Sequence, residues 1–149
     1  GVESELSWRW KGLNVNFSAS FMDARFVSYD DGHEDYSGNR IPYSPSSSLY
    51  ARAGYRFDFN SKVLNSLMLS ADILWNGSVS WNESGTLVQP SYSLLGFDAR
   101  LSFRKVQFFV RGENLADTSY RVFYFKSVGN SFFQTGKPRR FNAGIALDF

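Results

Sequence analysis

The sequence predicts an all-β fold of about seven antiparallel, up-and-down strands that form part of a transmembrane β-barrel. Segments in which apolar and polar side chains alternate recur along the chain, and this period is typical of strands with two different faces. Short turns alternate with long loops, which places all the long loops at one end of the strands. Aromatic residues make up 18% of the chain and collect near strand ends, where a membrane interface stabilises them.

Six strands precede an aromatic-rich stretch near the C-terminus. They are predicted at residues 2–10, 13–27, 49–59, 67–76, 95–104 and 106–113. Tight turns at Lys11–Gly12 and Lys105, and a short turn at residues 60–65, join three pairs of these strands. The other connections, residues 28–45 and 77–91, are long and polar. This regular alternation favours an up-and-down meander, because Greek-key crossings would break it.

Residues 120–134 carry six aromatic side chains around Gly129–Asn130, which predicts an extended hairpin. These candidate ligand contacts are Tyr120, Phe123, Tyr124, Phe125, Phe132 and Phe133. Two interpretations stay open for them. They stack on a ligand above the barrel mouth, or they pair across the hairpin and reach an interfacial girdle.

Residues 136–149 form the seventh predicted strand, with apolar side chains at alternate positions. The apolar set is Phe141, Ala143, Ile145, Leu147 and Phe149. A soluble protein seldom leaves an apolar aromatic free at a strand edge. A barrel that closes by pairing its last strand with its first has a physical use for such an end.

Charged residues alternate with the apolar ones and so lie on the opposite face. In a wide barrel this face lines an aqueous lumen and contacts whatever fills it. The residues expected there are Arg52, Arg56, Asp98, Arg100, Arg104, Arg111, Glu113 and Arg140. In a soluble β-sandwich the same face would be the outer surface. The loop asymmetry and the terminal phenylalanine favour the barrel.

Composition argues against several classes of function. The net charge of +2 is too small for a phosphate-binding surface, so we expect no nucleic-acid partner. The chain has no cysteine and one histidine, His33, and it lacks a G-x-S-x-G motif, so we expect no catalytic residue and no cofactor. The acidic residues 30–35 do not follow the EF-hand order, so we interpret them as a solvated loop rather than a metal site.

Two paired motifs near the C-terminus resemble the signature of TonB-dependent receptors. Residues 114–120, NLADTSY, are similar to the N-L-x-D-x-x-Y pattern of that family, and residues 136–141, GKPRRF, to its G-x-P-R-x-F pattern. Residues 38–45, GNRIPYSP, resemble its G-x-x-I-P-x-x-P entry to an earlier strand. The end of the chain resembles the membrane-insertion signal of outer-membrane barrels, with Phe141, Ile145, Leu147 and Phe149 as its apolar positions.

The resemblance implies a barrel of about 22 strands around an N-terminal plug. Residues 1–149 would then be a C-terminal segment of the barrel, without the plug and the earlier strands. It also implies residence in the bacterial outer membrane, in contact with its lipid, and TonB-dependent uptake of a scarce large nutrient such as a siderophore–iron complex, haem, cobalamin or a glycan. The implied partners are the plug of the same receptor, TonB through the missing N-terminal region, and the nutrient.

The alternative is a complete small protein, either a small outer-membrane barrel or a soluble β-sandwich, with a structural or binding role. An odd number of strands favours the segment, because bacterial membrane barrels normally have an even number. The chain opens on Gly1 with no signal peptide, which we expect of a mature or excised piece.

Overall fold

The computed structural model describes residues 1–147, and its main element is a seven-stranded antiparallel sheet. The strands are β1 (Val2–Trp10), β2 (Leu13–Phe21), β3 (Ser47–Asp58), β4 (Leu64–Asn76), β5 (Val79–Ser80), β6 (Val88–Gln89), β7 (Tyr92–Phe103), β8 (Val106–Glu113), β9 (Arg121–Ser127), β10 (Asn130–Thr135) and β11 (Arg140–Leu147). The large sheet has the order β1-β2-β3-β4-β7-β8-β11, and β5–β6 and β9–β10 are separate hairpins. Within residues 1–147, no helix is long and apolar enough to cross a membrane. The predicted all-β meander is confirmed, whereas the expectations for Phe149 lie outside the described residues.

Short and long connections lie at opposite ends of the large sheet. Residues 11–12, 59–63 and 104–105 join β1 to β2, β3 to β4 and β7 to β8. The three long connections, residues 22–46, 77–91 and 114–139, lie at the other end because every neighbouring pair of strands is antiparallel. The predicted asymmetry of the loops is therefore confirmed, and the predicted hairpin around Gly129 is the β9–β10 pair.

Arg104 lies in a turn, which corrects its predicted place in a strand. β7 ends at Phe103, and Arg104 has a φ of 52°, in the left-handed region. A two-residue connection between antiparallel strands favours such a positive φ, because it matches the twist of the two strands. Arg104 therefore leaves the alternating pattern of β7.

β2 ends at Phe21 rather than at Val27, because the chain folds back on itself there. Phe26 N donates to Asn39 O and Ile41 N donates to Ala24 O, both at 3.0 Å. These hydrogen bonds close a compact loop over residues 22–46. Three other predictions also change, since β3, β4 and β7 begin slightly earlier than expected, at Ser47, Leu64 and Tyr92. The predicted loop 77–91 contains the short β5–β6 hairpin.

The register places most apolar residues of the seven strands on one face of the sheet. One row crosses every strand and consists of Trp8, Val15, Ala53, Ala71, Phe97, Gly112 and Phe141. Large side chains on this face are exposed, Phe97 to 39% and Ile145 to 63%. On the opposite face, Ser70 and Asp98 are only 4% and 2% exposed. The sheet thus exposes its apolar face and buries polar side chains, the reverse of a sheet in a soluble protein.

A small buried apolar cluster lies among the long connections instead. Val79, Trp81 and Tyr124 form it, and Leu87 packs against them. These residues come from the β5–β6 region and from β9, outside the seven-stranded sheet. The cluster stabilises the loops and leaves the apolar face of the sheet uncovered, unlike the core between the two sheets of a β-sandwich.

Candidate functional site

Seven charged side chains form a continuous series across the polar face, which we call the charge chain. In order, its members are Arg100, Asp98, Arg52, Asp72, Arg111, Glu113 and Arg140. The first five N–O distances between successive members are 3.1, 3.5, 3.8, 3.6 and 3.1 Å, and Arg140 Nε contacts Glu113 Oε2 directly. The series runs over β3, β4, β7, β8 and β11, and its four arginines exceed its three carboxylates by one charge.

Burial distinguishes the centre of the charge chain from ordinary surface ion pairs. The side chains of Asp98 and Asp72 are 3% and 11% exposed, and that of Arg52 is 26% exposed. Arg52 also donates to Ser70 Oγ at 2.7 Å. A buried carboxylate is stable only when it is paired and hydrogen-bonded. The arginines therefore hold these acids in place, and loss of one partner would leave a buried charge.

Gly96 makes room for the middle of the charge chain. It pairs with Asp72 between β7 and β4, and a Cβ at this position would lie 2.5 Å from Asp72 Oδ2. Because β7 carries no side chain here, Asp72 on β4 reaches Arg111 on β8 across the intervening strand, at 3.6 Å.

Most of the charged residues predicted to line a lumen share this one face. The six that belong to the charge chain are Arg52, Asp98, Arg100, Arg111, Glu113 and Arg140. Arg56 pairs instead with the exposed Asp58 at 2.7 Å, near the short-turn end of β3. Asp72, the remaining member of the charge chain, takes a polar position in the alternating pattern of β4, which also predicts this face.

Asn114 fixes the base of the third long connection. It is 5% exposed, and its Nδ2 donates to the backbone oxygens of Thr118 and Lys137, both at 3.0 Å. Its Oδ1 accepts a hydrogen bond from Thr118 N at 2.8 Å. Asn114 has a φ of 49°, which asparagine tolerates better than most residues. One buried amide therefore joins residues on both sides of the β9–β10 hairpin.

Asp117 and Tyr120 complete this contact, which we call the loop-base clasp (residues 114–120 and 136–139). Asp117 Oδ1 accepts from Arg139 N, and Gly136 N donates to Tyr120 O, both at 2.8 Å. A Cβ at Gly136 would lie 2.0 Å from the Tyr120 ring, so only glycine fits there. The clasp explains physically why the two C-terminal motifs occur as a pair.

Tyr43 joins the three long connections to one another. Its N donates to Ser80 O at 2.9 Å, and its Oη donates to Tyr124 O at 2.8 Å. Its ring meets Trp81 edge-on at 5.6 Å and stacks on Phe123 at 6.0 Å. Tyr43 has a φ of 64°, which is costly for a residue other than glycine. Sequence reasoning missed this role, because no local pattern signals contacts between distant loops.

The aromatic side chains of the β9–β10 hairpin lie on both of its sides. Phe123, Phe125 and Phe132 are 45–46% exposed on one side, where Phe125 and Phe132 stack at 4.9 Å. Tyr124 is 9% exposed and packs on Phe133 on the other side, also at 4.9 Å. The first three present an exposed aromatic surface, whereas Tyr124 belongs to the buried loop cluster.

The remaining predicted aromatic, Tyr120, lies apart from the hairpin. Its ring stacks on Tyr92 at a centroid distance of 4.6 Å. Tyr92 in turn accepts a hydrogen bond from Asn76 Nδ2 at 3.0 Å on the polar face of the sheet. The six aromatics therefore do not form one continuous surface.

The acidic stretch at residues 30–35 uses its carboxylates to form tight turns. Asp31 Oδ1 accepts from Glu34 N and His33 N, both at 2.9 Å, and these hydrogen bonds lower the pKa of the Asp31 carboxyl. Burial, together with the charges of Asp31 and Glu34, raises the pKa of the Tyr36 phenol to about 12. Within residues 1–147, no group of three or more His, Asp or Glu side chains is arranged to hold a metal ion.

The C-terminal strand presents its apolar residues to the exposed face. Phe141, Ile145 and Leu147 are 67%, 63% and 58% exposed, and they alternate with polar or small residues along β11. Their pairing with β8 places them in the same rows as the other apolar side chains. That they signal membrane insertion stays a prediction.

Solved structures of three receptors share this fold. The chain is similar to the ferric yersiniabactin uptake receptor FyuA from Yersinia pestis, with 20% identity, a TM-score of 0.78 and coverage of 96% of this chain and 22% of that one. BauA, the ferric preacinetobactin receptor from Acinetobacter baumannii, has 20% identity and a TM-score of 0.77, with coverage of 99% of this chain and 22% of that one. The siderophore receptor PiuA from Acinetobacter baumannii has 17% identity and a TM-score of 0.75, with coverage of 96% of this chain and 20% of that one. The chain thus spans about a fifth of the length of these receptors, and the likeness establishes the fold.

The sequence itself matches a family described as "TonB dependent receptor-like, beta-barrel" over residues 1–115. This match covers β1 to β8 and most of the charge chain, whereas the paired C-terminal motifs lie mainly beyond it. The inverted polarity of the sheet, its open meander and its long loops on one side agree with this match. By sequence and by fold, the chain belongs to the TonB-dependent receptor β-barrel family.

Proposed function

We propose that this chain is the C-terminal part of the wall of an outer-membrane receptor that imports a scarce large nutrient with energy supplied through TonB. The observation that carries the proposal is the inverted polarity of the sheet. Ile145 is 63% exposed while Asp98 is 2% exposed. Exposed apolar side chains are stable in contact with lipid. Charged side chains on the other face suit the polar interior of a barrel that holds a plug.

The charge chain supports a contact with a plug inside that lumen. Its terminal Arg100, which lies outside the cavity described below, keeps a side-chain exposure of 52% and meets only one acid within residues 1–147. Such an arginine has donors left for a partner surface. The plug of the same receptor would supply that surface, and TonB would act on the plug rather than on this segment.

The long connections support ligand capture at the outer mouth. Phe123, Phe125 and Phe132 form a half-exposed aromatic surface that Tyr43 holds against the other loops. Flat aromatic surfaces bind ligands by stacking. The solved relatives are receptors for ferric yersiniabactin and ferric preacinetobactin and a siderophore receptor, which favours a siderophore–iron complex over haem, cobalamin or a glycan. We expect a transport role without catalysis.

An uptake assay with the full-length receptor tests this proposal. Gly136 N and Tyr120 O are hydrogen-bonded at 2.8 Å, so the β9–β10 hairpin can be excised between them with little strain on the wall. We expect the intact receptor in the outer-membrane fraction and growth on one siderophore as the only iron source, lost without TonB. The hairpin deletion should assemble normally and lose uptake. Recovery in the soluble fraction, or uptake that needs no TonB, would contradict the proposal.

A further inference from the structure

A cavity of about 280 Å³ opens on the polar face, between the charge chain and the loop-base clasp. Its charged lining residues are Asp72, Arg111, Glu113, Lys137 and Arg140. Leu74 and Leu94 form an apolar part of its wall, and the Tyr50 and Tyr120 rings add aromatic surface. The cavity therefore combines cationic groups with enough apolar wall to receive a single ring.

The cavity lining has an excess of positive charge, with three cationic side chains against two carboxylates. Both oxygens of Glu113 are already engaged, one by Arg111 Nε at 3.1 Å and the other by Arg140 Nε. Within residues 1–147, the hydrogen bond of the Arg140 side chain uses Nε, and its terminal nitrogens make none. Lys137 pairs with no acid in the same residues. Arg111 Nη2 lies 3.6 Å from Asp72, which is longer than a hydrogen bond. A ligand that supplies acceptors and negative charge fits this imbalance.

The same contacts hold the donors in fixed positions. Glu113 bridges two guanidinium groups, so each keeps its Nε on the bridge and leaves its terminal nitrogens for another partner. Asn114 Nδ2 donates to the Lys137 backbone oxygen at 3.0 Å, which fixes the backbone of this residue beside the cavity. Donors that are already positioned bind without losing much conformational freedom.

We propose that this cavity binds a carboxylate carried on a small flat apolar group, that is, an arene carboxylate. Guanidinium groups bind carboxylates through paired hydrogen bonds, and the nearby ammonium adds charge. Leu94 and the tyrosine rings provide a surface for the ring of the ligand. The inference rests on the proposed function in one respect, since the polar face must line the lumen for the carboxylate to be part of the imported nutrient.

Calorimetric titration of the purified full-length receptor with benzoate, in detergent, tests the site. We expect saturable binding of benzoate and none of benzamide, which has the same shape without the charge. Lys137→Met keeps the aliphatic stem and removes the charge, and it should weaken benzoate binding about tenfold. Lys126→Met is the matched control, because Lys126 is an exposed residue of β9 outside the cavity, and it should leave the affinity unchanged.

Two results would overturn the site. One is an equal affinity in Lys137→Met and Lys126→Met, or equal binding of benzamide. The other is no saturable binding, with Lys137→Met lowering thermal stability, which would mean that an acidic side chain of the receptor itself fills the cavity. Fractionation of cells tests the proposed outer-membrane function separately. A soluble location would contradict that function without altering the benzoate result.

Discussion

Gly96 and Asp72 lie directly opposite each other on β7 and β4, and the missing side chain of Gly96 is what lets the Asp72 carboxylate reach Arg111. A Cβ on Gly96 would come within 2.5 Å of Asp72 Oδ2. Gly96→Ala should therefore turn the buried carboxylate away from its arginines and lower the free energy of unfolding by about 1–3 kcal/mol. This loss can be measured by heating the receptor in detergent and monitoring unfolding by the change in gel mobility.

Asp72→Ala supplies the control for that substitution. With the carboxylate gone, the added methyl group of Gly96→Ala has space, so the double variant should be scarcely less stable than Asp72→Ala alone. The coupling between the two positions then reports the steric contact itself. Additive losses would mean that Gly96 matters for another reason.

Leu101 and Ser102 test which face of the sheet meets lipid. Leu101 pairs with Leu67 and Phe108 in the apolar rows, whereas Ser102 pairs with Ser66 and Gln107 on the polar face. An arginine facing lipid costs about 2–4 kcal/mol at the midplane and about 0–1 kcal/mol near an interface. Leu101 lies near the short-turn end of β7, so Leu101→Arg should destabilise the assembled barrel by less than the midplane cost, and Ser102→Arg less still. Comparable losses in folded receptor in the outer membrane would show that the two faces are assigned wrongly.

Much of this fold is readable from alternation alone, because a sheet with one apolar face imposes a period of two on every strand. The bounds of β1 and β8 match the predicted ones for that reason. The predicted end of β2 was wrong because the backbone beyond Phe21 folds back through hydrogen bonds such as Ile41 N to Ala24 O, and local sequence pattern does not reveal that fold. The predicted strand end at Arg104 was one residue too late, because a tight turn begins at a residue with no turn signature.

The sequence predicted which charged residues lie at the candidate site, but it did not predict which of them form ion pairs. Alternation placed Arg52 and Asp98 on one face, but their contact depends on the register between strands that are distant in sequence. Tyr43 illustrates the limit more clearly. Its partners Tyr124 and Ser80 lie on other loops, so only the folded arrangement of three connections reveals its role.

Acid should loosen the loop that contains residues 30–35. The folded loop lowers the pKa of Asp31, chiefly through the hydrogen bond from Glu34 N, so this carboxylate stabilises the loop when charged. The stabilisation is complete above the ordinary pKa of 3.8 and is lost as the pH falls through the lowered value. We expect the His33 and Glu34 amide resonances to titrate with a midpoint below 3.8.

Asp31→Asn separates the charge from the hydrogen bonds. The asparagine oxygen still accepts from the two amides, so the turn should persist, and the His33 amide resonance should lose the transition that Asp31 causes. A midpoint at or above 3.8 in the unsubstituted protein would contradict the sign of the shift.

Tyr43 should control how firmly the β9–β10 hairpin is held. Tyr43→Phe removes only the Oη hydrogen bond to Tyr124 O and keeps the ring contacts. A single hydrogen bond contributes about 0.5–1.5 kcal/mol, so hydrogen exchange in residues 121–135 should quicken about two- to tenfold. Exchange in β7 and β8 should not change, because the hairpin is outside their sheet.

Tyr43→Gly tests the ring contacts of Tyr43 rather than its hydroxyl group. It relieves the cost of a φ of 64° but removes the ring that touches Trp81 and Phe123. Loss of the ring should dominate, so we expect exchange in the hairpin to be faster than in Tyr43→Phe. Tyr29→Phe is the matched control, since the Tyr29 ring packs on Phe26 and Tyr36 within its own loop. If Tyr29→Phe loosens the hairpin as much as Tyr43→Phe, the hairpin responds to any change in the first loop and Tyr43 has no special part in holding it.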